Sequence, residues 1–212
     1  MSAVTARLRR LVAERLRDRL GVHDDARLPR IPAEGVVAPD VVLRRYRPED
    51  ADSRLRLESS PGLDRWDARC RSATTRAEFD AWLAEQQRRY AAARGPCSLA
   101  VCAPGAPDLL GDLTFWRLRD RWNSVELGVA MLPDARNLRW VLATGAAVVP
   151  WLHAQGVQRV EAHHVVGHDA ACFVARAGGL AVEGVLRGVF PQHAGDGTTR
   201  WLDACAHASV AP

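Results

Sequence analysis

Lysine is absent from this 212-residue chain: all 29 basic residues are arginine. Biased codon usage produces such a set, and it has a physical consequence, because a guanidinium fork grips phosphate or carboxylate through two bonds at once. Long apolar runs are also missing. No stretch of ~18 or more apolar residues occurs, so no transmembrane helix is expected. The opening residues carry charges throughout and lack the apolar region of a signal peptide, so a cytoplasmic protein is expected. The five cysteines, Cys70, Cys97, Cys102, Cys172 and Cys205, are odd in number and show no CxxC spacing. That argues against a disulfide framework or a zinc site and for free, mostly buried thiols. The net charge of +4 suits an acidic ligand and falls short of what a nucleic-acid partner demands.

What is present is a 48% hydrophobic composition, enough for a sizeable core, and a length suited to one domain with an added terminal segment. Residues 2 to 20 place Val4, Leu8, Leu11, Val12, Leu16 and Leu20 at helical spacing with arginines on the other face. An amphipathic helix is expected there, packed on its own domain or on a partner subunit, with a homodimer as one such arrangement. Pro29, Pro32, Gly35 and Pro39 make residues 21 to 40 a linker or extended arm. The expected organisation is a helix and linker over 1–38, a main domain over 39–206 and a tail over 207–212.

Within the main domain, Val41 to Tyr46 reads as a strand, and Pro48 is placed to start a helix. Thr75 to Arg94 is a strong helical stretch, with Phe79, Trp82, Leu83, Gln86 and Tyr90 on one stripe. Ser98–Cys102 and Leu109–Arg117 read as strands of an antiparallel meander that continues into Ser124–Leu132. A long apolar helix to Gln155 is stopped by Gly156. A strand over 157–165, a helix from about Asp169, a stop at Gly178-Gly179 and a closing pair of strands complete the pattern. Alternating strands and helices with glycine punctuation predict an α/β (α+β) domain around a central sheet.

The order and wording of this second half resemble the GNAT superfamily of acetyltransferases, and within it the RimJ/RimL-like branch. Val125-Glu126-Leu127-Gly128-Val129 matches its glutamate-containing strand, and Pro133-Asp134-Ala135-Arg136 its following turn. Gly156 to His164 is similar to "GLHRVELRH", and Val166 to Ala175 with Glu183 to Gly188 is similar to "VGNEASCRVAEKAGFRLEGVLRG". The resemblance covers residues 40 to 206. It implies a twisted, mixed and mostly antiparallel sheet flanked by helices, to which the N-terminal helix is an addition. It implies acetyl-CoA as co-substrate, no metal, and a small-molecule or peptide amine as acceptor, without a membrane or nucleic-acid partner.

The resemblance also assigns sites. Glu126 is the expected general base, with Val125 and Leu127 pointing to the opposite face. Val129, Ala130, Met131 and Leu132 would hold the pantetheine by backbone bonds. The pyrophosphate turn falls on Arg136, Asn137, Leu138, Arg139, Trp140 and Val141. Here arginine and valine stand where the family has glycine and glycine or alanine, so close backbone approach is obstructed. Arg136 and Arg139 either grip phosphates by side chain or are solvated turn residues. His168 replaces the family's asparagine and Ala171 its serine. His168 would then contact the pantetheine arm or the leaving sulfur, with Cys172 adjacent. Trp66, Trp82 and Tyr90 are candidate substrate walls or ordinary core, and His164 belongs to the cleft or the strand core. Adjacent strand histidines face opposite ways, so His163 and His164 cannot share one metal ion. The departures keep two alternatives open: a GNAT-fold protein repurposed to another acyl donor or other chemistry, and a non-catalytic binding module.

Overall fold

The computed structural model describes residues 28–61, 73–119, 123–193 and 198–212. The expected helix over 2–20 and Trp66 lie outside the described residues. In chain order the elements are β1 (Val36–Val37), β2 (Val42–Arg44), α1 (Ala51–Glu58), α2 (Arg76–Ala92), β3 (Cys97–Cys102), β4 (Leu109–Arg119) and β5 (Ser124–Met131). They continue with α3 (Leu138–Ala154), β6 (Arg159–Val165), α4 (Asp169–Ala177), β7 (Ala181–His193) and β8 (Thr199–Val210). A 3-10 turn at Pro48–Asp50 leads into α1, and another at Pro133–Ala135 lies between β5 and α3. No helix among the described residues is long and apolar enough to cross a membrane.

Local chemistry sets these boundaries. Thr75 caps α2 by accepting from the Glu78 amide, and the Glu78 carboxylate accepts from the amides of Thr74 and Thr75. Helix α3 ends where Gly156 adopts φ +85°, a left-handed conformation that costs glycine nothing. The amides of Gly156 and Val157 then bond back to His153 and Leu152. Helix α4 ends the same way at Gly179, φ +86°, with Leu180 bonding back to Ala175. In both places the residue after the glycine is buried and leads the chain into a strand.

The eight strands form one sheet in the order β1-β2-β3-β4-β5-β6-β8-β7. Every neighbouring pair is antiparallel except β5 and β6, which are joined through α3 and run parallel. Alternation gives the sheet two covered faces. On one, Leu99, Leu113, Phe115, Val125, Leu127 and Val160 pack with Val148, Val149 and Leu152 of α3. On the other, Ala100 and Cys102 pack with Tyr46, Ala51, Phe79 and Leu83. Each fully buried valine, leucine or phenylalanine among these contributes about 1.5–3 kcal/mol of hydrophobic free energy.

Two expected boundaries shift. Leu28, Ile31 and Val36 are buried in the main core and β1 pairs with β2, so the described part of the proline-rich arm packs as part of the domain. At the other end β8 runs to Val210, and His207 is fully buried. The expected tail is therefore mostly strand, held because β8 lies between β6 and β7.

Candidate active site

Two strands that start paired and then part leave backbone groups without partners, and β5 and β6 do this. Their ladder runs from Ser124–Arg159 to Leu127–Ala162 and stops. Strand β5 stays bonded to β4 as far as Met131–Gly111, and β6 to β8 as far as Val165–Ala204. The β6-facing side of β5 over Gly128 to Met131 thus carries donors and acceptors with no ladder partner among the described residues. An extended ligand with its own amides can add to such an edge as a strand would.

Where the strands part, Glu126 on β5 stands beside Glu161 on β6, its register partner. Alternation along β6 puts Arg159, Glu161 and His163 on that same face. His163 Nδ1 lies 3.1 Å from Glu126 Oε1, while its Nε2 lies 3.9 Å from Glu161 Oε2, beyond hydrogen-bond range. Arg159 donates to Glu161 at 2.5 Å and bonds Glu183 of β7 through two nitrogens. Glu126 and His163 are 13% and 16% exposed, so the pair is shielded without being sealed. The bond from Glu126, aided by the charge on Glu161, holds the His163 imidazole above its usual range. Toward β3 the same face continues as a polar track. Thr114 donates to Asp112, Ser98 and Thr114 share a 2.7 Å bond, and the buried Arg54 of α1 pairs with Asp112 at 2.7 Å.

The turn from β5 into α3 stands at the open end of this edge. Asn137 caps α3 by accepting from the Trp140 amide at 3.3 Å. Arg136 donates to the carbonyls of Met131 and Pro61, which anchors the turn. Arg139 is 68% exposed, lies 3.9 Å from Asp40 and stacks over the Trp140 ring at 4.7 Å. Leu138 is exposed, and Trp140 and Val141 are partly buried against the core. The positive end of α3 thus stands beside the exposed Arg139, with the Trp140 amide taken by the Asn137 cap.

Other expected site residues fall elsewhere. Tyr90 is buried, donates to the Ser98 carbonyl and accepts from the Tyr46 amide, so it is core and presents no wall to a substrate. Trp82 is half-buried between Tyr46, Phe79 and the Arg54 guanidinium. His164 is buried on the α3/α4 face, with its Nε2 3.0 Å from His207 Nε2. His168 caps α4 by accepting from the Ala171 amide and stands edge-on to His164. Cys172 is half-buried in α4 beside His164 and His207. Glu126 and His168 therefore have different neighbours: Glu126 meets His163, and His168 meets His164. Sequence reasoning passed over His163 as a partner for Glu126. The signal was the alternation Arg159, Glu161, His163, which puts three charged or titratable groups on one face.

The parallel pair thus parts beside a helix N-terminus, with a carboxylate–imidazole pair in the fork. The family model for the acetyltransferase (GNAT) domain matches residues 40–181, and the chain belongs to that family. No curated protein matches it in sequence. Among solved structures it is similar to Mycobacterium smegmatis RimJ in complex with CoA-disulfide, at 18% identity and TM-score 0.68 over 88% of this chain and 86% of that one. It is similar to the ribosomal-protein-S5-alanine acetyltransferase of Vibrio fischeri, at 14% and 0.69 over 82% and 95%. It is also similar to the microcin C7 self-immunity acetyltransferase MccE in complex with acetyl-CoA and AMP, at 12% and 0.67 over 86% and 98%. At these identities the likeness is one of fold.

Proposed function

We propose that this chain transfers an acetyl group from acetyl-CoA to a primary amine of a small molecule or a peptide, by direct attack in a ternary complex. The observation that carries the reading is the parting of β5 and β6 with the Glu126–His163 pair in the fork. The neighbours in complex with CoA-disulfide and with acetyl-CoA support the donor, and the ribosomal-protein-S5-alanine acetyltransferase supports a peptide amine among the acceptors. The backbone of Val129 to Leu132 would hold the pantetheine. The α3 N-terminus and Arg139 would meet the pyrophosphate, with Arg136 fixing the turn.

Acetyl transfer to an amine asks the protein to remove one proton. The amine nitrogen attacks the thioester carbonyl carbon, the carbon–sulfur bond breaks, and the nitrogen sheds a proton. In neutral His163 the Nδ1–H donates to Glu126, which fixes the tautomer and leaves the Nε2 lone pair to take that proton, directly or through water. His168, at the cap of α4, would contact the donor arm.

The test is a thermal-shift titration with acetyl-CoA. Binding raises the melting temperature, and Arg139→Ala weakens it more at low salt than at high salt, because an exposed guanidinium is screened. No shift at millimolar acetyl-CoA rejects the donor. That result would favour the reading in which the fold uses another acyl donor, which rests on Arg139 and Ala171 standing where the family has glycine and serine.

A further inference from the structure

The face of the sheet opposite the Glu126–His163 pair holds a second cluster of titratable groups that acetyl transfer leaves unused. His164 of β6, His207 of β8 and Cys172 of α4 bring one ligand atom each to within 4.8 Å of one another. His164 is 8% exposed and His207 is fully buried. We propose that these three residues form a site for a borderline-soft divalent cation, with zinc as the type, that clips α4 to strands β6 and β8.

The argument begins with the tautomers. His164 Nδ1 lies 3.0 Å from the Val165 carbonyl, which can only accept, so Nδ1 carries the proton and Nε2 carries a lone pair. That lone pair points at His207 Nε2, 3.0 Å away. If His207 answers with Nε2–H, its Nδ1 becomes a lone pair buried with no hydrogen-bond partner. If it carries the proton on Nδ1, two lone pairs face each other at contact distance. A cation between the two Nε2 atoms removes both difficulties, and a thiolate from Cys172 would offset part of its charge.

The donor set selects the ion. Two neutral imidazoles and a thiolate suit zinc and its neighbours over magnesium or calcium, which take oxygen. Zinc–nitrogen bonds of about 2.0–2.1 Å and a zinc–sulfur bond of about 2.3 Å set tetrahedral ligand atoms about 3.3–3.6 Å apart. The imidazole pair already has nearly this spacing, and the thiol closes the remainder by a side-chain rotation. The carbonyl of Val165 on His164 Nδ1–H is the outer partner that a metal-bound histidine ordinarily has. Three protein ligands leave one tetrahedral position for water.

The experiment uses the full chain, stripped of metal and carrying no histidine tag, titrated with cobalt(II) and then zinc(II). One equivalent of cobalt binds, giving intense tetrahedral visible bands and a sulfur-to-cobalt charge-transfer band, and zinc displaces it. Cys172→Ser removes the charge-transfer band, and His207→Asn weakens zinc binding by about a hundredfold or more, at or beyond the upper end of what losing an outer partner alone does. Melting curves of the metal-free proteins verify that the variants are folded. The proposal is overturned if the parent protein gives no tetrahedral cobalt spectrum. It is equally overturned if Cys205→Ser, opposite His164 on β8, abolishes the band while Cys172→Ser keeps it.

Discussion

His163 and His164 are adjacent on β6, yet the strand turns them to opposite faces and into opposite electrostatic surroundings. His163 lies between Glu126 and Glu161, and its proton is held. His164 lies buried against His207, whose imidazole is pushed toward the neutral form by burial and by His164. The acidic face favours a group that exchanges a proton, and the opposite face favours one that ligates or packs. The lesson is that residue type names a capacity, and the face of the strand decides which capacity is used.

The largest expected effect breaks the acidic face. Glu126→Gln keeps the shape of the site and removes the charge that orients and polarises His163. Given an acceptor assay, turnover falls by roughly a hundredfold or more, the scale of general-base catalysis that His163 delivers only while Glu126 holds its tautomer. A second readout separates this from simple damage. The wild-type rate rises with pH through the His163 ionisation, which lies above about 6.5 because Glu126 raises it. In Glu126→Gln that limb moves to lower pH, since the raising bond is gone. An unchanged limb would show that Glu126 and His163 do not act together.

The next effect belongs to the opposite face. His164→Gln leaves His207 Nε2 without its partner, and an unsatisfied buried polar group costs about 1–3 kcal/mol. Stability in denaturant titrations falls by that amount, while turnover, corrected to the folded fraction, stays within a few-fold of wild type. A turnover loss as deep as that of Glu126→Gln would mean that the two faces are one site.

How much of this was legible in the sequence follows from range. The strand carrying Glu126, the glycine stops at Gly156 and Gly179 and the start of α2 are set by residues a few positions apart, and they stand within a residue or two of expectation. The fork itself was legible only through family resemblance, because a ladder that stops at Leu127–Ala162 has no local signature. Tyr90 fits a substrate wall as well as core by its helical stripe. What decides is Ser98, brought over the helix by β3. The partnership of His164 with His207 spans 43 residues and rests on β8 lying beside β6, which nothing in either segment announces.

The smallest effect tests the comparison at equilibrium, through the pH dependence of stability in the presence of a chelator. A histidine whose folded pKa is raised takes its proton in the folded state first. The contribution of His163 is therefore complete below the unfolded value of about 6.5 and is lost as pH rises through the folded value. A histidine whose folded pKa is lowered does the reverse. Above about 6.5 His207 carries no penalty, and as pH falls below that value the unfolded chain takes up a proton the folded protein refuses, so stability drops. The variants His163→Gln and His207→Gln should then depart from wild type with opposite slopes. The deficit of the first is largest in acid and shrinks toward neutral and alkaline pH, whereas that of the second shrinks as the solution is acidified. Each slope reflects one proton, so the two curves must be compared at matched ionic strength. Parallel slopes would mean that the two faces of β6 do not differ in the way their neighbours require.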